Sequence, residues 1–419
     1  MIVELINTGS ELMLGRVLNT HQQWLCRQLA DLGYVVARQV AVADTGRDIE
    51  QAVREALTRA DLIICTGGLG PTSDDLTRDL IAQLLGKTWH EDPAVLAHIQ
   101  QFFDSRRRPM PERTKVQAQV PEGASVLPNP HGTAPGLALE VRPNPFRPGG
   151  QPSWLILLPG PPRELRPMFA DTVVPLLGRV LPPASRFACR TLRTTGIGES
   201  SAQEKIASPL EQLVQAGLDL GYCSRPGQVD VRLAAQGPAA EQQVHEAEAI
   251  VRELLDPYIY GVEDEELETV IVRALTERKA TLALAESCTG GYVANRVTNV
   301  PGASAVLLAG LVTYSNAAKE KFLGVQADTL ARHGAVSKPV AHEMAEGARR
   351  QTGADYAISV TGIAGPTGGT SAKPVGTVFI GLASPAGTVV THHLNPYDRE
   401  TFKQVTAQQA LELLRRAIR

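Results

Sequence analysis

The sequence predicts an α/β protein with parallel, doubly wound sheet architecture and a smaller α+β unit in the middle of the chain. Three observations carry this. Short apolar runs alternate with segments of helical period over residues 1–170. Two such runs, Asp61–Cys65 and Thr281–Ala285, empty directly into small polar and glycine-rich turns followed by helices. At 419 residues the chain is also too long for one ordinary core, so two or three domains are expected.

In order along the chain, Ile2–Asn7 is predicted as the first strand, ending at Thr8-Gly9-Ser10-Glu11. Asn19 or Thr20 caps a helix with an apolar stripe of Trp24, Leu25, Leu29 and Leu32. Tyr34–Val42 and Asp61–Cys65 are strands, with a helix over Arg47–Thr58 between them. The third strand exits into Thr66-Gly67-Gly68-Leu69-Gly70-Pro71-Thr72-Ser73-Asp74-Asp75, directly before a helix around Leu76–Leu85. Glycines let backbone approach a phosphate closely, and a helix N-terminus favours an anion. Gly67, Gly68, Gly70 and Thr72 are therefore the candidate phosphate cradle. Asp74 and Asp75 would repel that phosphate unless a divalent cation lay between them, which makes them candidate ligands for Mg²⁺ or another divalent metal. The same residues have a purely structural explanation, in which glycine and proline make the turn and the aspartates cap the helix. Glu11 is a further candidate ligand or base, or simply a solvated acid. Arg142–Pro152 lies between the apolar runs Leu137–Val141 and Trp154–Leu158 and is predicted as a hairpin insertion.

Residues 171–258 form the α+β unit, with strands at Arg186–Thr194, Asp219–Ser224 and Gln228–Gln236 and helices at Ala202–Gln215 and Ala239–Leu255. Its turn Gly196-Ile197-Gly198-Glu199 lacks the G-x-x-G form of a nucleotide clamp. With net charge −3 besides, no nucleic-acid partner is expected. The five cysteines (26, 65, 189, 223, 288) form no C-x-x-C pair, which fits a reducing cytosol. No apolar run reaches the length of a membrane span and the first residues lack a signal-peptide pattern, so a cytoplasmic protein with no membrane partner is expected.

The stretch Thr281–Lys319 concentrates reactive groups: Glu286-Ser287-Cys288-Thr289 at a strand exit, Gly290-Gly291 opening a helix, Ser304 in Pro-Gly-Ala-Ser, and Lys319 after Thr-Tyr-Ser-Asn. A nucleophile, an amine and an anion-binding turn suit acyl transfer. On residue type and spacing alone Cys288 and Ser304 are equal candidates for the nucleophile. Lys319 is either a base or a helix residue with a solvated tip; in water fewer than about one in 1000 lysines is neutral near pH 7, so a base needs its pKa depressed by burial or by a cation such as Arg399. The Gly290-Gly291 turn and the backbone after Ser304 are candidate oxyanion donors.

The motifs TGSELMLG, GGLGPTSDD, NPHGTAPG and LPGPPREL resemble the N-terminal domain of the CinA (competence/damage-inducible protein A) family, which is similar to molybdopterin-binding proteins. AESCTGG, PGAS, TYSNAAK, HGAVS, TGIAGPTGG and KPVGTV resemble its C-terminal nicotinamide-nucleotide amidohydrolase domain. The resemblance implies a molybdopterin-binding-like domain over 1–170 with metal-dependent ADP-ribose pyrophosphatase activity, a KH-like domain over 171–258, and an NMN deamidase domain over 265–419 that needs no cofactor. It implies Ser304 as nucleophile, Lys319 as base, and Ser287, Thr289, Gly290, Tyr314, Asn316, Thr361, Gly362 and Arg399 around nicotinamide mononucleotide (NMN) and its phosphate. A homodimer is also implied. The alternatives are pterin or nucleotide handling by the N-terminal domain, and a non-enzymatic accessory role in DNA uptake.

Overall fold

The computed structural model describes residues 1–183 and 186–419. The chain divides into two compact units, Met1–Ala188 with Gln236–Pro238, and Cys189–Ala235 with Ala239–Arg419.

In the first unit the strands are β1 (Val3–Thr8), β2 (Val36–Val42), β3 (Leu62–Thr66), β4 (Trp89–Glu91), β5 (Gln119–Pro121), β6 (Ala124–Leu127), β7 (Gly136–Val141) and β8 (Ser153–Leu158). The main sheet has the order β2-β1-β3-β8-β7-β6, while β4 and β5 pair separately. β1, β2, β3 and β8 run parallel; β7 and β6 are antiparallel additions. β1 and β3 are buried on both faces, as their unbroken apolar runs require of central parallel strands. Strand alternation sends Leu5 and Ile64 to one core with Leu25, Leu29 and Phe169. It sends Ile6 and Ile63 to the other, with Val53, Leu57 and Leu155. Burial of each such side chain contributes about 1.5–3 kcal/mol. Asn19 caps the helix Thr20–Asp31 by accepting from the Gln22 amide, and Thr45 caps Gly46–Leu57 by accepting from Asp48. The helix Val174–Val180 belongs to this unit, since Leu176 and Leu177 complete the first core. The unit therefore extends past the boundary expected at residue 170.

The second unit opens with an antiparallel sheet of order β10-β11-β9-β12, made of β9 (Phe187–Thr195), β10 (Asp219–Arg225), β11 (Gln228–Gln236) and β12 (Ile259–Val262), with helices Glu199–Gln215 and Ala240–Leu255. β12 lies beyond the boundary expected at residue 258 and pairs with β9. A four-residue strand with one glycine gives too short a pattern to register in the sequence. Then come β13 (Leu282–Glu286), β14 (Leu307–Val312), β15 (Tyr356–Gly362), β16 (Thr377–Ser384) and β17 (Gly387–Leu394), in the order β14-β13-β15-β16-β17. β14, β13 and β15 are parallel, and β16 and β17 are antiparallel. Helices Leu267–Arg278, Tyr292–Thr298 and Arg399–Ala417 cover one face through Leu275, Val293, Phe402 and Leu411. Lys338–Thr352 covers the other through Val340, Met344 and Ala348. No helix is long and apolar enough to cross a membrane among the described residues.

Candidate functional site

Three parallel strands of the C-terminal sheet finish side by side, β13 at Glu286, β14 at Val312 and β15 at Gly362. Ligands of open α/β sheets bind outside such carboxyl ends. Ser287 follows β13 directly, its amide donating to the Val360 carbonyl (2.9 Å), and Thr313 follows β14, its amide donating to the Glu286 carbonyl (2.9 Å). Lys319 lies on the helix Asn316–Leu323, whose start is fixed by Ser315 accepting from the Ala318 amide. From there the Lys319 side chain is carried back under the strand ends and is 1% exposed.

The Lys319 amine is 3.1 Å from Ser287 Oγ, 2.8 Å from the Thr313 carbonyl and 3.2 Å from the Tyr314 carbonyl. The two carbonyls can only accept. A neutral amine has two N–H donors and one lone pair, so it satisfies both carbonyls and leaves the lone pair for the Ser287 hydroxyl. Burial pushes the Lys319 ammonium down from the usual lysine range, opposed in part by the neighbouring Cys288. The arrangement is that of a serine with a lysine base.

Ser304 is placed elsewhere, which corrects the expected pairing with Lys319. It is exposed in the turn Ala303–Ala305 that enters β14, whereas the carbonyls holding Lys319 follow the exit of that strand. At about 3.3 Å per residue a six-residue strand separates its two ends by roughly 17 Å. Within one chain the hydroxyl facing Lys319 is that of Ser287. Cys288 is buried, and burial pushes its thiol up to about 12, which removes the reactive thiolate.

Glu286, 1% exposed, organises the turn that follows: its carboxylate accepts from the amides of Gly291 (3.0 Å), Val293 (3.1 Å) and Ala294 (2.8 Å). It thereby supplies the anion that the N-terminus of helix Tyr292–Thr298 favours. The Gly290 amide donates to the Ser287 carbonyl (3.1 Å). Both glycine amides are thus engaged inside the turn, and the expected oxyanion role for Gly290-Gly291 is not met. Thr289 and Thr313 instead each hold a buried hydroxyl without a hydrogen-bond partner among the described residues. A buried hydroxyl left unpaired is costly unless something else occupies it, so these two are unused donors in the segments that follow β13 and β14.

Arg399 opens the last helix, donating to the Gly365 carbonyl (2.9 Å) and the Tyr314 hydroxyl (3.0 Å). It is joined to the site through Tyr314, but burial, and not the Arg399 charge, lowers the Lys319 pKa. Asn316 is exposed at the start of its helix. The Thr361 hydroxyl donates to the Ala335 carbonyl (2.8 Å), and a Cβ on Gly362 would stand 2.8 Å from the Thr377 carbonyl, so both shape the wall of the sheet end.

In the first unit a cleft of about 440 Å³ opens at the carboxyl ends of β1, β3 and β8, lined by Gly67, Gly68, Gly70, Asp74, Asp75, Glu11 and Gln117 among others. Gly67 and Gly68 have φ of +98° and +66°, and a Cβ on Gly67 would come within 2.7 Å of Thr8 Oγ1. Those positions need glycine. Asp75 accepts from the Thr72 amide (3.0 Å) and hydroxyl, so Thr72 and one Asp75 oxygen are engaged in the turn. Asp74 is exposed, and among the described residues no three His, Cys, Asp or Glu side chains converge as a metal cage. The donor set is hard carboxylate oxygen, which suits an ion sharing its shell with water and substrate phosphate. Gln117 is buried, donates to the Leu69 carbonyl (3.3 Å), and keeps its Oε1 unpaired among the described residues. Its signal in the sequence is weak, a glutamine between the apolar Val116 and Ala118.

Family models match three consecutive segments: "Probable molybdopterin binding domain" over 4–179, "Damage-inducible protein CinA KH domain" over 189–261, and "CinA C-terminal domain" over 264–418. A CinA-like protein of Akkermansia muciniphila is 44% identical over 410 residues, covering 98% of this chain and 95% of its own. A CinA-like protein of Anaeromyxobacter sp. is 40% identical over 421 residues, covering 100% and 99%. The crystal structure of competence/damage inducible protein CihA from Agrobacterium tumefaciens is 41% identical, covering 36% of this chain and 93% of its own, with a TM-score of 0.35. By full-length identity and three ordered domain matches, the chain belongs to the CinA family.

Proposed function

We propose that the C-terminal domain hydrolyses the carboxamide of nicotinamide mononucleotide, giving nicotinate mononucleotide and ammonia. The observation that carries this is the buried Lys319 amine, 3.1 Å from Ser287 Oγ and held by two carbonyl acceptors. Ser287 Oγ attacks the carboxamide carbon while its proton passes to Lys319 Nζ. The tetrahedral oxyanion collapses, the C–N bond breaks, and Lys319 returns the proton to the departing ammonia. Water then cleaves the acyl ester, again through Lys319, releasing the carboxylate and restoring Ser287. General-base assistance of this kind is worth about 10²–10⁴ in rate. The exposed Tyr314 hydroxyl and Arg399 guanidinium, 3.0 Å apart, supply donors for the ribotide phosphate at the mouth. Ammonia release from NMN tests the assignment: Ser287→Ala and Lys319→Ala abolish it, and Cys288→Ala retains it. Retained turnover in Ser287→Ala would reject the assignment.

For the N-terminal domain we propose hydrolysis of the ADP-ribose diphosphate, supported by a glycine turn and carboxylates sharing one cleft. Asp74 and the free oxygen of Asp75 would hold a divalent ion, which offsets phosphate charge when bound. The unpaired Gln117 Oε1 suits an N–H donor on a heterocycle, a feature that a pterin shares with adenine. Cleavage of ADP-ribose with and without Mg²⁺, compared between the wild type and Asp74→Asn, tests this. Equal cleavage in all four reactions would reject it.

A further inference from the structure

Two motifs of the first unit, NPHGTAPG at 129–136 and LPGPPREL at 158–165, meet at one carboxylate. Glu164 stands in the first turn of the helix Pro162–Met168 and is 8% exposed. The buried Asn129 amide donates through Nδ2 to Glu164 Oε2 (2.9 Å) and to the Ala134 carbonyl (2.8 Å), while its Oδ1 accepts from the His131 amide (3.1 Å). With donor and acceptor both engaged, the amide cannot flip, and it holds Glu164 by one defined oxygen. A Cβ on Gly132 would land on that same oxygen, so the loop closes over Glu164 only with glycine there. Glu164 Oε1 has no hydrogen-bond partner among the described residues, and Arg163 Nε, at 3.8 Å, is beyond hydrogen-bond reach. A Cβ on Gly160 would stand 3.8 Å from Gly67 Cα, so the segment leading into Glu164 packs directly on the glycine turn.

We propose that Glu164 is the general base of the N-terminal cleft, taking the proton of the water that attacks the diphosphate. The assignment rests on the ADP-ribose reading of that cleft. Glu164 lines it together with Glu11, Asp44, Asp74 and Asp75, and these acids differ in what is left to them. Asp44 accepts from the Ser10 amide (2.7 Å) and Asp75 from Thr72, while Glu11 and Asp74 are exposed. Glu164 alone of the five combines burial, a fixed orientation and an oxygen with no bond. No three acidic side chains converge as a metal cage among the described residues, so Glu164 stands apart from the Asp74 and Asp75 pair. A general base needs this arrangement, one oxygen anchored and the other open to a water. As the water oxygen bonds to one phosphorus, its proton passes to Glu164 Oε1. The bridging P–O bond breaks, and the bridging oxygen leaves with its electron pair on the other phosphate. AMP and ribose 5-phosphate result, and Glu164 returns its proton to solvent. Asn129 is a positioning residue in this scheme, because it keeps the carboxylate from turning.

The test measures AMP formation from ADP-ribose by the full-length protein over a series of Mg²⁺ concentrations. Glu164→Gln keeps the shape and the bond to Asn129 but cannot take a proton, so kcat falls about 10²–10⁴-fold. KM for ADP-ribose and the Mg²⁺ concentration giving half the maximal rate stay within about threefold of the wild type, since the residue binds neither in the ground state. Glu164→Asp keeps the carboxylate but draws it back by one methylene, and loses about tenfold or more in kcat through misplacement. A Glu164→Gln variant within threefold of an active wild type would overturn the assignment of Glu164 and leave the ADP-ribose reading standing. So would a fall in rate that excess Mg²⁺ reverses, which would make Glu164 a metal ligand, or a Glu164→Asp variant at the full wild-type rate. No cleavage by the wild type at any Mg²⁺ concentration would overturn the reading and the assignment together.

Discussion

Replacing Lys319 by arginine keeps a cation and most of the side-chain volume but removes the ability to be neutral, since a guanidinium stays protonated throughout the accessible pH range. The wild-type amine donates to two carbonyls and faces Ser287 Oγ at 3.1 Å, so only its uncharged form can take the serine proton. Burial lowers its pKa from the ordinary lysine value. Below that lowered pKa each unit of pH raises the neutral fraction about tenfold. For wild type, kcat/KM for NMN deamidation therefore climbs about tenfold per pH unit and levels off above the lowered pKa. Lys319→Arg loses about 10²–10⁴ in rate, some 3–5.5 kcal/mol of transition-state stabilisation, and shows no such climb. The assay is continuous ammonia release between pH 6 and 10. A flat wild-type profile, or an arginine variant within tenfold of wild type, would refute the argument.

The same burial has a signature in stability. Between the lowered folded pKa and the unfolded value near 10.4 the unfolded chain binds the additional proton, so stability of the wild type rises with pH across that window. The slope is missing from Lys319→Met in denaturant titrations at stepped pH. Glu286→Ala frees three backbone amides at the start of helix Tyr292–Thr298 and costs about 2–4 kcal/mol in chemical denaturation, with Glu286→Gln recovering part of it. Arg399→Ala raises KM for NMN more than it lowers kcat, because the guanidinium reaches Tyr314 at the mouth and makes no bond to Ser287 or Lys319. Asp75→Asn weakens the turn by about 1 kcal/mol through Thr72.

The alternation of buried strands and capped helices was legible in the sequence because each element had a strong local cause. Leu62–Thr66 is an unbroken apolar run, Asn19 is a side-chain cap, and glycines stand where φ is positive. The cluster around Ser287, Thr289 and Lys319 was legible as a set. The partnership within it was not, because distance along a chain does not reveal which end of a strand a residue occupies. Ser304 and Lys319 are close in sequence, yet β14 runs between them and carries them to opposite ends of the sheet. Placing Leu307–Val312 as a parallel strand would have left Ser287 and Lys319 together at the carboxyl ends. The engagement of the Gly290 and Gly291 amides was hidden for a related reason: Glu286 closes a buried strand, and only the fold shows its carboxylate turning forward into the next helix.

The most direct test is to quench Cys288→Ala protein during turnover of NMN and locate the acyl adduct by peptide mass mapping with fragmentation. The nicotinoyl ribotide ester should reside on Ser287, and it should be absent from Lys319→Ala. An adduct on Ser304, or loss of all turnover in Cys288→Ala, would contradict a serine activated by the buried amine.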